Sequence, residues 1–229
     1  MLENSDQIDP ELIEDNVTDR TQSKILEYVD TIYGGRPSFA GLTGQFARVM
    51  VGANEEIRFK RPISVGGIQN YLYIVDEEPR VVYIYDLEAK EIKPLGNIAA
   101  HFKGTLGNIY VVQDYSFYIV DVGGKRVLHF SEQGDLLADF KDFENLSRPI
   151  DVIVDEITQD VLIADGSYSH IVVFNSAGIA KGVIGKRGDS STTAGRFRAI
   201  TSFTRGAAGL YILDRLEQPI QVLDMQGRF

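Results

Sequence analysis

Few side chains in this sequence can do acid–base, metal or nucleophilic chemistry, and they are poorly grouped. There are three histidines, His101, His129 and His170, and no cysteine. No two histidines stand four residues apart and no HExxH-type pair exists, so a zinc site on one helix is excluded. Without thiols there are no disulfides, thiolate metal sites or cysteine nucleophile, while the redox compartment stays open. His129 and His170 fall on corresponding runs of neighbouring repeats but in different registers, eight and five residues after Asp121 and Asp165. A shared metal ion needs one register, so both are expected to be structural. The string GKRGDSS, Gly185 to Ser191, is not a phosphate loop: Ala180 occupies the place of its first glycine, and Arg187 stands where Ser or Thr must follow the lysine. Arg187-Gly188-Asp189 is an adhesion-type tripeptide, too short to carry a function alone. Asn16-Val17-Thr18 and Asn145-Leu146-Ser147 satisfy the glycosylation pattern, which matters only in a eukaryotic secretory pathway. No metal and no cofactor are expected.

The carboxylates carry a pattern instead. Asp76, Asp121, Asp165 and Asp214 each end an apolar run, YLYIVD, SFYIVD, DVLIAD and GLYILD, at spacings of 45, 44 and 49 residues. Nine residues after each comes a bulky apolar residue closing a second run: Tyr85, Phe130, Phe174 and Leu223. Thirteen residues after three of them sits a glycine, Gly134, Gly178 or Gly227, where the first copy has Ala89 in the variant turn LEAKE. RPISV at Arg61 and RPIDV at Arg148 open two of the units. An acidic ring is one reading of the four aspartates. The reading favoured is structural, because an aspartate at a strand end accepts hydrogen bonds from the N–H groups of the tight turn that follows.

The elements that hold these residues are β-strands. Each unit reads as a meander: an opening strand after the proline, a second ending at the aspartate, a short polar turn, a third strand, and a fourth running to a glycine-rich loop such as GIAKGVIGKRG. Weak alternation in HIVVFN and LYILD predicts strands covered on both faces. One four-stranded sheet cannot bury its own faces, so the units must stack. About 45 residues and four strands is the size of a propeller blade, larger than a β-helix coil.

Composition agrees with a globular protein: 229 residues, 44% hydrophobic, 24% charged. Twenty-three basic against thirty-three acidic residues give a net charge of −10, which disfavours a nucleic-acid partner. Residues 1–24 hold seven acids and two bases and are expected to form a flexible acidic leader. No apolar run approaches the roughly 18 to 20 residues that cross a bilayer, and the N-terminus lacks the order of a signal peptide.

Tryptophan is absent, so the tryptophan-aspartate signature of one propeller class is missing, and the aspartates stand where Kelch repeats place a glycine pair. RPIDVIVDEITQDVLIADGSYSHIVVFNSAGIAKGVIGKRGDSSTTAGRF resembles an NHL repeat, with its proline-led first strand, apolar-Ala-Asp second strand, Ile-x-Val-Phe third strand and glycine-rich exit. The resemblance spans 58–229 and is closest to bacterial exported NHL proteins, often lipoproteins. It implies an all-β, NHL-type β-propeller with four-stranded antiparallel blades, six in the family against about four here. The expected units are 58–100, 101–145, 146–196 and an incomplete 197–229; the second, near GTLGNIYVVQD, lacks the leading proline. Within 25–57, KILEYVDTIYGG resembles a last strand that would close the ring against a C-terminal blade.

Related propeller families include metal-dependent lyases and lactonases that hold a metal in the channel lined by the opening strands. Here those strands offer only Asn108, Asp151 and Asp155, a poor ligand set. The expectation is therefore a non-enzymatic interaction scaffold, a subunit of an exported (periplasmic or cell-surface) assembly, with a channel-centred lyase or lactonase as alternative and an RNA-binding NHL domain as a second. Its partners would be other proteins; membrane contact would be indirect or through a removed lipid anchor. The candidate contact residues lie in the turns between second and third strands: Glu77, Glu78, Arg80, Lys125, Arg126, Ser167, Tyr168, Arg215 and Glu217. Their mixed charge with one aromatic suits a protein surface.

Overall fold

The structure, a computed structural model, describes residues 31–37, 56–96, 98–188, 194–216, 220–225 and 227–228. Tyr33–Phe229 forms one compact unit. The leader expected at 1–24, most of 25–57, Asp189 and Glu217 lie outside the described residues.

Two short strands, β1 (Gly34–Pro37) and β2 (Ile57–Arg58), precede the repeats. The first repeat folds as β3 (Pro62–Ile68), β4 (Tyr71–Asp76), β5 (Val81–Asp86) and β6 (Glu91–Leu95). The second is β7 (Leu106–Val111), β8 (Phe117–Asp121), β9 (Arg126–Phe130) and β10 (Leu136–Lys141). The third is β11 (Pro149–Val154), β12 (Val161–Asp165), β13 (His170–Phe174) and β14 (Ala180–Ile184). A two-residue parallel pair, β15 (Lys186–Arg187) with β16 (Arg196–Phe197), leads into the fourth: β17 (Ile200–Gly206), β18 (Gly209–Asp214) and β19 (Ile220–Leu223). Within each of the four repeats consecutive strands pair antiparallel, and the first sheet is extended by β1, parallel to β6, and then by β2. The opening strands β3, β7, β11 and β17 neighbour one another in that order, so the sheets stand side by side like blades. Leu106 takes the proline's place in the second unit, opposite Asp121 as Pro62 is opposite Asp76.

Three apolar clusters fill the spaces between consecutive blades. The middle strands explain why alternation was weak in the sequence. On β8, Phe117 and Ile119 face the first blade whereas Tyr118 and Val120 face the third. On β12, Val161 and Ile163 turn back to the second blade while Leu162 and Ala164 turn to the fourth. The period of two is intact, but both faces are apolar because both are covered. Aromatic rings bridge these spaces: Tyr73 meets Phe117 with centroids 5.4 Å apart, and Phe140 meets Phe174 edge-on at 5.9 Å. Each such ring, fully buried, is worth about 2 to 3 kcal/mol.

The turns repeat as closely as the strands. Arg80, Lys125 and Ser169, each four residues past its strand-ending aspartate, take left-handed φ values of 55°, 53° and 55°. Ten residues past each aspartate, a side-chain oxygen of Asp86, Ser131, Asn175 or Asp224 accepts backbone N–H bonds from the turn into the fourth strand or its continuation. Gly134, Gly178 and Gly227 follow there with φ of 88°, 81° and 79°. In the first copy the left-handed residue is not Ala89 but Lys90, at φ 55°, because Asp86 and Glu91 pair directly there and Lys90 closes the turn between them. No helix among the described residues is long and apolar enough to cross a membrane.

Candidate functional site

The strand-ending aspartates are fully buried, and each carboxylate joins two chain segments. Asp165 accepts from Ser167 N (2.8 Å) and Tyr168 N (2.7 Å) in its own turn, and from Ser147 N (2.7 Å) and Arg148 N (2.6 Å) in the segment entering the blade. Asp214 does the same with Leu216 N against Arg198 N and Ala199 N. Asp121 accepts from Gly124 N and Lys103 N. Asp76 takes its bonds from Lys60 N (2.8 Å) and Arg61 N (2.6 Å). Turn capping was expected; the second half, which fixes where each chain enters its first strand, was not legible because the entry segment lies 15 to 18 residues earlier.

On this scaffold the predicted contact residues divide. Glu78, Arg80, Lys125, Tyr168 and Arg215 are exposed on one end of successive blades. Glu77 is half-buried and ion-paired with Arg61 at 3.1 Å, and Ser167 offers its carbonyl to Arg187. Arg126 must be removed from the contact set. Its guanidinium is 13% exposed and pairs with Asp121 at 3.0 Å and Asp139 at 2.8 Å, while also donating to the His101 carbonyl. A cation held by two carboxylates and a carbonyl inside its own blade has no free face for a partner.

The three candidate channel residues are likewise engaged. Asn108 Nδ2 donates to Asp151 Oδ1 at 3.1 Å, and Asp151 Oδ2 accepts from Ser202 Oγ at 2.7 Å and Phe203 N at 3.0 Å. Ser64 Oγ accepts from Ile109 N at 3.1 Å. Ser64, Asn108, Asp151 and Ser202 occupy one register, beside the bulge in each opening strand, and stitch each blade to the next. The two serines were missed because only the position, two residues past the proline or its substitute, marks them. Asp155 is ion-paired with Arg205 at 3.1 Å.

The histidines lie apart from one another. His129 stacks on Tyr118, centroids 4.0 Å apart and planes at 5°, with Nε2 2.9 Å from Ser116 Oγ. Burial holds its pKa below the usual histidine value, against the opposing charge of Asp114, and pushes the Tyr118 hydroxyl up to about 12. His170 Nε2 lies 2.7 Å from the Asn145 carbonyl, and His101 packs against Phe130. Among the described residues no three His, Asp or Glu side chains are grouped to hold a metal ion.

Meandering sheets packed face to face around a row of opening strands define a β-propeller. Solved structures agree. A streptogramin B lyase aligns over 72% of this chain and 54% of its own, with TM-score 0.51 and 9% identity. A virginiamycin B lyase from Staphylococcus aureus gives the same coverage of this chain, 56% of its own, TM-score 0.51 and 9% identity. A structural-genomics protein of unknown function from Bacteroides thetaiotaomicron aligns over 70% of this chain and 44% of its own, TM-score 0.50, 16% identity. The chain thus spans about half the length of these proteins, and identities this low establish the fold alone. No family model and no curated protein sequence matches.

Proposed function

We propose that this chain is a non-enzymatic propeller of the NHL type that works as an interaction scaffold, a subunit of an exported or cell-surface protein assembly. One observation carries the reading: Glu78, Arg80, Lys125, Tyr168 and Arg215 stand exposed on one end of four consecutive blades, and the turns of Lys125, Tyr168 and Arg215 are pinned from beneath by buried aspartates. Such a surface is preorganised, so a partner spends little ordering entropy on docking. Its mixed charge and single aromatic suit a protein, and the net charge of −10 suits neither RNA nor DNA. The alternative, metal-dependent chemistry in the channel, finds Asp151 and Asn108 already committed to neighbouring blades.

The test is crosslinking with mass spectrometry in the source cell. A variant combining Glu78→Lys, Arg80→Glu, Lys125→Glu, Tyr168→Ala and Arg215→Glu serves as control. Crosslinks to these turns, lost in the variant while its circular dichroism is unchanged, are expected. A partner retained by the variant, or stoichiometric metal in the purified protein, would overturn the reading.

A further inference from the structure

At the opposite end of the first two blades lies a cleft of about 220 Å³ lined by Tyr71, Tyr73, Ile84, Tyr115, Asp86, Glu91, Glu132 and Lys93. It is separate from the turns discussed above: Tyr71 starts β4 and Asp76 ends it, a separation of about 17 Å along the strand. Its aromatic wall is fixed in place. The Tyr73 hydroxyl donates to the Tyr115 carbonyl at 3.0 Å, the Tyr115 hydroxyl donates to Gln69 Oε1 at 2.6 Å, and the rings of Tyr71 and Tyr115 meet edge-on at 6.0 Å. Burial first, and then the facing charge of Glu132, hold the Tyr73 hydroxyl protonated far above its usual range.

The charge of the cleft is one-sided. Three carboxylates face one ammonium. Some carboxylates elsewhere in the fold are paired with a cation: Asp121 and Asp139 with Arg126, Asp155 with Arg205, Asp160 with Lys181. Among the described residues none of the ion pairs involves Asp86, Glu91 or Glu132. Asp86 caps its turn through Glu88 N and Ala89 N, which leaves its charge intact. The feature is singular as well. Counting from the aspartates, the places of Tyr71 and Tyr115 are taken at the next interface by Ser116 and Gln159, so this lining is not something every blade pair requires.

Tyrosine rings backed by unneutralised carboxylates form a low-entropy receptor for a cation: the ring quadrupole attracts it at the wall and the carboxylates at the rim. We propose that this cleft binds the cationic end of an arginine or lysine side chain carried by a partner segment. The volume takes one such head group and its stem, and Ile84 at the base suits the methylenes.

The test is an NMR titration of the full chain with blocked tripeptides Gly-Arg-Gly, Gly-Lys-Gly and the neutral isostere Gly-citrulline-Gly. The expected result is weak binding of both cationic peptides, with shifts confined to Tyr71, Tyr115, Glu91 and Glu132, and at least tenfold weaker binding of the citrulline peptide. Glu91→Gln and Glu132→Gln, both exposed, should each weaken binding by roughly fivefold at low salt without moving the thermal midpoint. Equal binding of the citrulline peptide, shifts mapping elsewhere, or glutamine variants that bind arginine unchanged would overturn the proposal. None of these outcomes depends on the contact face at the other end.

Discussion

The two ends of the blades are built on different terms. At one end a buried aspartate recurs in all four units, each carboxylate holds the segment entering the blade, and three of them also hold the following turn. At the other end the lining changes from one blade pair to the next: tyrosines and carboxylates without an ion pair between the first two, the Ser116–His129–Tyr118 stack between the second and third. A side chain that every unit repeats answers a need every unit has, and the need shared by all is closure of the meander. A side chain present once answers something else. In a repeat protein the conspicuous residues are therefore the poorer guide to function, and departures from the repeat are the better one.

The sharpest way to break this contrast is at Asp165. Asp165→Ala leaves four backbone N–H groups without their acceptor at a buried strand end and should cost about 4 kcal/mol in urea denaturation, whereas Glu132→Ala at the other end should cost less than about 0.5 kcal/mol. A small loss at Asp165 would mean that the strands alone close the blade. Next in size is Asp151→Leu, which strands Ser202 Oγ, Phe203 N and Asn108 Nδ2; about 2 to 3 kcal/mol is expected, with loss of cooperativity between third and fourth blades visible by hydrogen exchange.

A smaller and opposite pair lies in the turns to the fourth strands. Gly178→Ala, at φ 81°, should destabilise by about 1 kcal/mol, whereas Lys90→Gly, relieving a left-handed lysine, should stabilise by up to about 1 kcal/mol. Thermal midpoints decide both. The smallest effect is pH-dependent. The folded pKa of His129 lies below its unfolded value near 6.5, so the unfolded chain binds the proton more readily. Stability is full above about 6.5 and declines as pH falls from there toward the folded value. The decline between pH 7 and 5 should shrink in His129→Gln, measured by urea midpoints.

The propeller was legible because its signals are local and repeated: the strand-ending aspartates, the glycines at +13, the apolar runs too continuous for a one-sided sheet. The meander and the missing proline of the second unit both follow from neighbours in sequence. What escaped the sequence reading depends on contacts between units. Arg126 reads as a surface cation in a polar turn, and only the fold brings Asp139 and the His101 carbonyl to it. Ser64 and Ser202 are ordinary residues until the bulges place Ser64 against the backbone of the second blade and Ser202 against the Asp151 carboxylate of the third. The tyrosine cleft draws on two turns and three strands of two blades, and no spacing rule connects Tyr71 with Glu132.

The split loyalty of β12 has a consequence for how disturbances travel. Its first four residues belong by turns to two different interfaces, Val161 and Ile163 to one, Leu162 and Ala164 to the other. Double-mutant cycles should therefore find Ile163 coupled to Val120 and silent toward Ile212, and Leu162 coupled to Ile212 and silent toward Val120, although the two residues are adjacent in the chain. The strand is a junction between two separate circuits. Loosening one boundary of a blade need not be felt at the other, so each seam can be tuned on its own.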